Sequence, residues 1–207
     1  MSSVHTTTAI RGRFLDIQNT VAQAREIHDQ VRYVEDGLLI TQNGKISWFG
    51  EWEAGQQHIP ENTQIQHYPE QLIVPGFIDT HIHFPQTEMV GAYGEQLLEW
   101  LNTYTFPTEM QFADKNYADK IAQFFVHELL KNGTTTALVF CTVHPQSVDA
   151  LFEAAEQHQM RLIAGKVMMD RHAPDELTDT AESAYHDSKA LIEKWHGKGR
   201  NLYAITP

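Results

Sequence analysis

Apolar and polar residues alternate in short runs over the first third of the chain. Residues 9–17, 38–42 and 45–49 each read as a strand, and 64–68 alternates weakly. Asn43-Gly44 is the strongest two-residue hairpin signal, because both turn positions want positive φ. Residues 20–36 are polar and read as a loop with a helical turn. Pro75-Gly76 then breaks the chain, since a proline inside a central strand would remove a ladder donor. Beyond it the pattern predicts strands over 77–83, 135–142, 161–169 and 201–205. Helices are predicted over 94–102, 116–131, 147–158 and 178–195. Phe124, Phe125, Leu129 and Leu130 give the 116–131 helix an apolar stripe. Asn132-Gly133 stops it with Gly133 in the left-handed position, and Ser147 is the candidate N-cap of the next helix.

Strands alternating with helices imply a parallel sheet. A closed barrel of such units needs eight of them and typically about 250 residues. This chain has 207 residues, and its second part supplies four strands. The expected fold class is therefore α/β: a small β unit over residues 1–73, then about four β/α units, half a barrel, over 74–207. A β unit of this size buries little by itself. The outer strands of a half-barrel would present open parallel edges, a template for association.

The chain carries 15 basic and 27 acidic residues, a net charge of −12. With no basic stripe to neutralise phosphates, nucleic acid is not an expected partner, and the acidity reads as solubility. A single cysteine, Cys141, allows no intrachain disulfide and fits a reducing compartment. Its apolar neighbours mark it as a small buried hydrophobe. The N-terminus lacks the basic start and apolar run of a secretory signal, and no segment approaches the length of a membrane span. A cytoplasmic protein without a membrane partner is expected. No glycine-rich phosphate cradle occurs, and His127-Glu128 lacks the second histidine of a His-Glu-x-x-His site, so His127 reads as a helix-surface residue. The zinc deaminases that use Pro-Cys-x-x-Cys are excluded by the lone cysteine.

In a strand over 77–83, Phe77, Asp79, His81 and His83 share one face, and Ile78, Thr80 and Ile82 share the other. The second face, mostly apolar, can pack under a helix. The two imidazoles can point at a single metal ion, and in a parallel barrel they would lie at the end where barrel enzymes place their chemistry. Zinc sites use about four ligands, and a catalytic one keeps a position for water. A separate base must accept the proton of that water. Two histidines are too few, so other ligands and the base must come from elsewhere. By itself the pair would accept zinc, iron or other metals. Asp79 could orient a histidine or bond to nearby backbone. Gln86 offers one acceptor and two donors, and read alone it is a loop glutamine. Trp100 and Leu101, read alone, are helix-face packing. His144, Asp170 and Arg171 follow strand ends, where the barrel mouth is possible, but such residues are also ordinarily solvent-facing, and none is a catalytic candidate.

The run Val-Pro-Gly-Phe-Ile-Asp-Thr-His-Ile-His over 74–83 resembles the first barrel strand of the amidohydrolase superfamily. Residues 84–109 and 132–156 are similar to the guanine deaminase family within it, and the resemblance extends from about residue 10 to 207. It implies a partial β-sandwich over 1–73, which the C-terminal segment of such proteins returns to finish, and the first half of a metal-dependent TIM barrel over 74–207. It implies that His81 and His83 ligate one Zn2+ per subunit. His83, Gln86, Trp100 and Leu101 would contact guanine, with Trp100 and Leu101 lining the purine pocket. The other ligands, and a glutamate for proton transfer, would lie beyond Pro207, so no catalytic acid or base is expected within this chain. The implied reaction is hydrolysis of guanine to xanthine and ammonia by a cytosolic homodimer. The 207-residue chain itself is expected to be truncated and inactive alone. Two other readings stand beside this one. One is an amidohydrolase acting on another cyclic amidine; the other is a non-catalytic half-barrel that only binds metal or partner subunits.

Overall fold

Four strands form the first sheet: β1 (Thr7–Ile17), β2 (Val31–Gln42), β3 (Lys45–Glu51) and β4 (Ile65–Ile73), in the order β3-β2-β1-β4. The computed structural model describes residues 6–19, 24–94 and 96–207. The chain divides into two compact units, Met1–Pro75 and Gly76–Pro207. In the first, β1 pairs antiparallel with β2 and parallel with β4. β2 and β3 form the hairpin that Asn43-Gly44 announces, with φ of 52° and 74° at the two turn residues. Ala9, Leu38 and Ile40 are buried beneath Trp48, Trp52 and Ile59.

β2 starts earlier than its hydrophobicity suggests. Residues 31–36 are strand, not loop, and a 3-10 helix at Ala24–Gln30 leads into them; residues 20–23 of the expected loop lie outside the described residues. The charges that make this stretch look like a loop pair across the sheet. Arg32 stands opposite Asp16 and forks onto its carboxylate at 2.9 and 2.5 Å, while Arg11 forks onto Asp36 at 2.7 and 2.6 Å. Opposite charges across neighbouring strands favour the pairing.

The second unit runs β5 (Phe77–His83), α1 (Lys115–Lys131), β6 (Thr134–Phe140), α2 (Pro145–His158), β7 (Arg161–Gly165), α3 (Ala181–Trp195) and β8 (Leu202–Tyr203). Its sheet is wholly parallel, in the order β5-β6-β7-β8. Helices connect successive strands, as parallel pairing requires. The core between sheet and helices holds Phe84, Phe112, Phe125, Phe152, Leu162 and Trp195, none more than 6% exposed. Burying each such side chain is worth about 1.5–3 kcal/mol.

The helix ends are fixed by local side-chain and backbone signals, only some of them those read from the sequence. The Asp114 carboxylate accepts from the Asn116 N–H at 2.9 Å to start α1, and Gly133 adopts φ 85° just past its end. Thr180 and Ser183 form a reciprocal capping box at the start of α3. Ser147, however, is not the cap of α2. His144 precedes the helix and Pro145 takes a first-turn position, where a fixed φ and a missing N–H suit it. Ser147 lies inside, its hydroxyl donating to the His144 carbonyl and accepting from the Thr142 N–H.

Other boundaries shift for physical reasons. Helical structure around 94–102 starts at Leu97 and continues through a π-turn at Leu101–Thr105 into Phe106–Met110. Pro107 falls in the first turn of the last piece, where its missing N–H costs nothing. Glu95 lies outside the described residues. β7 ends at Gly165 instead of 169, because β8 offers only two paired residues. One further bridge joins Val167 to Thr206. In α1 the buried face is Ala118, Ile121, Ala122, Phe125 and Val126. Phe124 is 55% exposed, since one residue turns a helix by about 100° and Phe125 takes the core. The second face of β5 is only partly covered: Ile82 packs on the core, but Ile78 is 67% exposed, because β6 is the neighbour β5 has among the described residues.

Candidate metal and ligand site

The site is built on the last residues of β5. The ladder with β6 is regular at Ile82 and His83, opposite Val139 and Phe140, but shifts register between Asp79 and Ile82. Such irregularities re-aim side chains and recur next to functional sites. Here His81 and His83 both turn toward Phe140. Their ring centroids lie 5.0 and 4.9 Å from that of Phe140, and His83 is nearly parallel to it, at 11°.

The two Nε2 atoms stand 3.3 Å apart. Two nitrogens bound to one tetrahedral zinc at 2.0–2.1 Å are separated by about 3.3–3.4 Å. The pair therefore has the spacing of two ligands of one ion. Burial, with a smaller contribution from His81, lowers the pKa of His83. That favours the neutral ring, the form whose nitrogen can coordinate. Among the described residues no third histidine, cysteine, aspartate or glutamate joins the pair to complete a metal group. The Asp79 carboxylate accepts from the His81 backbone N–H at 3.0 Å, so it steadies the backbone that carries the ligand.

A cavity of about 720 Å3 opens beside the pair. Ile82 lines it together with His81 and His83, so it draws on both faces of β5, which among the described residues is the outermost strand of its sheet. Gln86 and Trp100 also line it; Leu101 does not. Leu101 opens the π-turn and is half-buried. Gln86 belongs to a 3-10 turn, Phe84–Met89, whose ends are buried by Phe84, Pro85 and Met89. Phe124 and Glu128 of α1 reach the same cavity. The apolar-stripe pattern assigns Phe124 to the core instead, and nothing in the sequence ties Glu128 to β5.

The other chemistry-bearing residues are elsewhere. His127 is exposed, and Asp170 and Arg171 form an exposed ion pair at 3.4 Å. His144 departs from its solvent-facing expectation: it is half-buried, and its Nε2 is enclosed with no hydrogen-bond partner among the described residues. Burial and the nearby Lys166 lower its pKa, while Asp179 raises it. Lys166, at the end of β7, is fully buried and bonds the Asp179 carboxylate and, at 3.2 Å, the Val167 carbonyl. Cys141 is buried as expected, and burial pushes its thiol pKa up. Among the described residues no helix is long and apolar enough to cross a membrane.

A parallel α/β sheet with a histidine pair at the end of its first strand defines a class. Residues 72–206 match the amidohydrolase family, and the chain belongs to it. The particular likeness is narrower still. The chain is 63% identical to guanine deaminase of Escherichia coli K12 over 207 residues, all of this chain and 47% of that protein. The solved structure of E. coli guanine deaminase matches with a TM-score of 0.92 over 97% of this chain and 46% of that one. A guanine deaminase from C. acetobutylicum, solved with guanine bound in its active site, is 28% identical. It matches with a TM-score of 0.82 over 98% of this chain and 46% of its own. The chain spans about half the length of the curated relatives it matches.

Proposed function

We propose that this chain is the metal- and purine-binding N-terminal portion of a guanine deaminase, a hydrolase converting guanine to xanthine and ammonia. Residues 1–73 would be part of a β-sandwich and 74–207 the first half of the barrel. The observation that carries the reading is the 3.3 Å separation of the His81 and His83 Nε2 atoms, beside a cavity that Gln86 and Trp100 also line. The 63% identity to the E. coli enzyme supports the substrate.

His81 and His83 would hold a zinc ion, which when bound supplies a water acidified toward neutrality. Phe140 backs both rings and limits their swing, and Asp79 fixes the His81 backbone. Gln86 would present donors and an acceptor to the purine edge, with Trp100 covering its flat face and Leu101 and His83 completing the contact. The proton-accepting base and the remaining ligands would come from the portion of the relatives that this chain does not match. The 207-residue chain by itself would therefore turn guanine over poorly. The complete protein would be a cytoplasmic homodimer.

The test is zinc titration of the metal-free chain by calorimetry. One site per chain is expected, lost in both His81→Ala and His83→Ala and kept in His127→Ala. Zinc uptake that survives both β5 substitutions would overturn the assignment.

A further inference from the structure

The turn that carries Gln86 is held in three ways, and one of the holds reaches it from α1 by a hydrogen bond. Phe84 at its start is fully buried, edge-on to Phe112 at 5.0 Å and tilted against Phe125 at 5.5 Å. The Thr87 hydroxyl donates to the Phe84 carbonyl at 2.6 Å, closing the turn on itself. The third hold comes from α1: the Tyr117 hydroxyl donates to the Glu88 carboxylate, and the Tyr117 ring sits edge-on to Phe112 at 5.1 Å. Glu88 is itself exposed, so water could satisfy its carboxylate without any help from α1. The bond thus does little that solvation would not do for Glu88, but it fixes where the turn lies. Gln86 sits between the buried Phe84 and the tethered Glu88.

We propose that Tyr117 is a positioning residue for Gln86: through Glu88 and Phe112 it locks the Phe84–Met89 turn so that the carboxamide is aimed at the purine beside the histidine pair. This rests on the guanine-binding reading above. A flexible turn would have to be ordered on binding, and each side chain immobilised at that moment weakens the complex. Tyr117 and Phe112 make the turn rigid beforehand. The arrangement predicts a signature that general destabilisation lacks: the effect of losing the Tyr117 hydroxyl should vanish once Gln86 is gone.

The experiment uses the intact chain with zinc present. Hydrogen exchange is followed over residues 84–89, and radiolabelled guanine binding is measured by equilibrium dialysis. Tyr117→Phe keeps the ring against Phe112 and removes only the hydroxyl, so the fold is retained. Its expected effects are faster exchange in the turn, guanine binding weaker by about fivefold, as for loss of one ordinary hydrogen bond, and unchanged zinc affinity. In a Gln86→Ala background the same substitution should change guanine binding less than twofold. Glu88→Gln, which still offers an acceptor, should stay close to the wild type. Unchanged exchange in Tyr117→Phe overturns the tether. Equal weakening with and without Gln86 overturns the positioning role. If the wild-type chain takes up zinc but no guanine, the guanine reading fails and this inference falls with it. If the wild type binds guanine and Tyr117→Phe binds it equally well, this inference alone fails.

Discussion

Lys166 offers a sharp test of the energetics of the parallel sheet. Its side chain is 0% exposed and that of Asp179 13%, so the ion pair lies almost wholly out of water. Removing one partner of such a pair leaves an uncompensated buried charge and costs about 3–5 kcal/mol. Asp179→Ala should therefore lower the unfolding free energy of the second unit by that amount, read from the fall in its urea midpoint multiplied by the m-value. Lys166→Met is different. It keeps an unbranched side chain of similar length and removes the charge, and the Asp179 carboxylate it frees can still reach solvent. Because the charge left behind is the partly exposed one, the cost of this variant should be smaller than that of Asp179→Ala; only in the double variant is the whole pair replaced by apolar groups, a change that is often neutral. The double variant should recover much of the loss of Asp179→Ala. His144 supplies an independent readout. Asp179 raises its pKa and Lys166 lowers it, so NMR titration should show the imidazole shifting down in Asp179→Ala and up in Lys166→Met. Equal costs below about 1 kcal/mol for both single variants, the range of a solvent-exposed pair, would refute the account.

Three further outcomes follow from other sites. Burial raises the pKa of Glu109 from 4.5 to about 7, which corresponds to about 3 kcal/mol of differential stability. Because the folded value lies above the unfolded one, this stability is intact below about pH 4.5, is lost as pH rises through about 7, and stays lost above. Glu109→Gln should raise the melting temperature at pH 8 and leave it nearly unchanged at pH 4; an equal effect at both would contradict this. Thr180→Ala removes the capping box of α3 and should cost about 1 kcal/mol by chemical denaturation, with Thr180→Ser close to wild type. Gly165→Ala would place a Cβ 1.9 Å from the Ala204 carbonyl oxygen. Backbone must move to admit it, so a loss of about 1–3 kcal/mol and faster exchange at β8 amides are expected, whereas Gly197→Ala, with open space around it but φ of 79°, should cost less and leave β8 exchange unchanged.

Local signals with a short-range cause were legible in the sequence. Asn43-Gly44 and Gly133 set their turns through positive φ, Pro75 interrupts the chain because it has no N–H to give a ladder, and the alternation over 77–83 puts His81 and His83 on one face. What escaped depended on partners far away in the chain. Residues 31–36 look like a loop until Arg32 meets Asp16 and Arg11 meets Asp36. Whether Phe124 or Phe125 faces the core is decided by the sheet beneath α1. Both histidine rings rest on Phe140, contributed by the next strand, and the hydrogen bond from Tyr117 to Glu88 joins residues 29 positions apart. Periodicity reports faces within an element; it carries no information about which element a face meets.

The lone thiol has a practical consequence. Cys141 follows β6, is 1% exposed and has its ionisation suppressed by burial, and only the thiolate attacks disulfide reagents. The native chain should thus be silent to such a reagent, and each labelling event should mark an opening of the sheet beside β6. Labelling rates as a function of denaturant would then sort openings into those that expose little surface and those that expose the whole unit. The chain carries its own clock for the one strand against which both histidines rest.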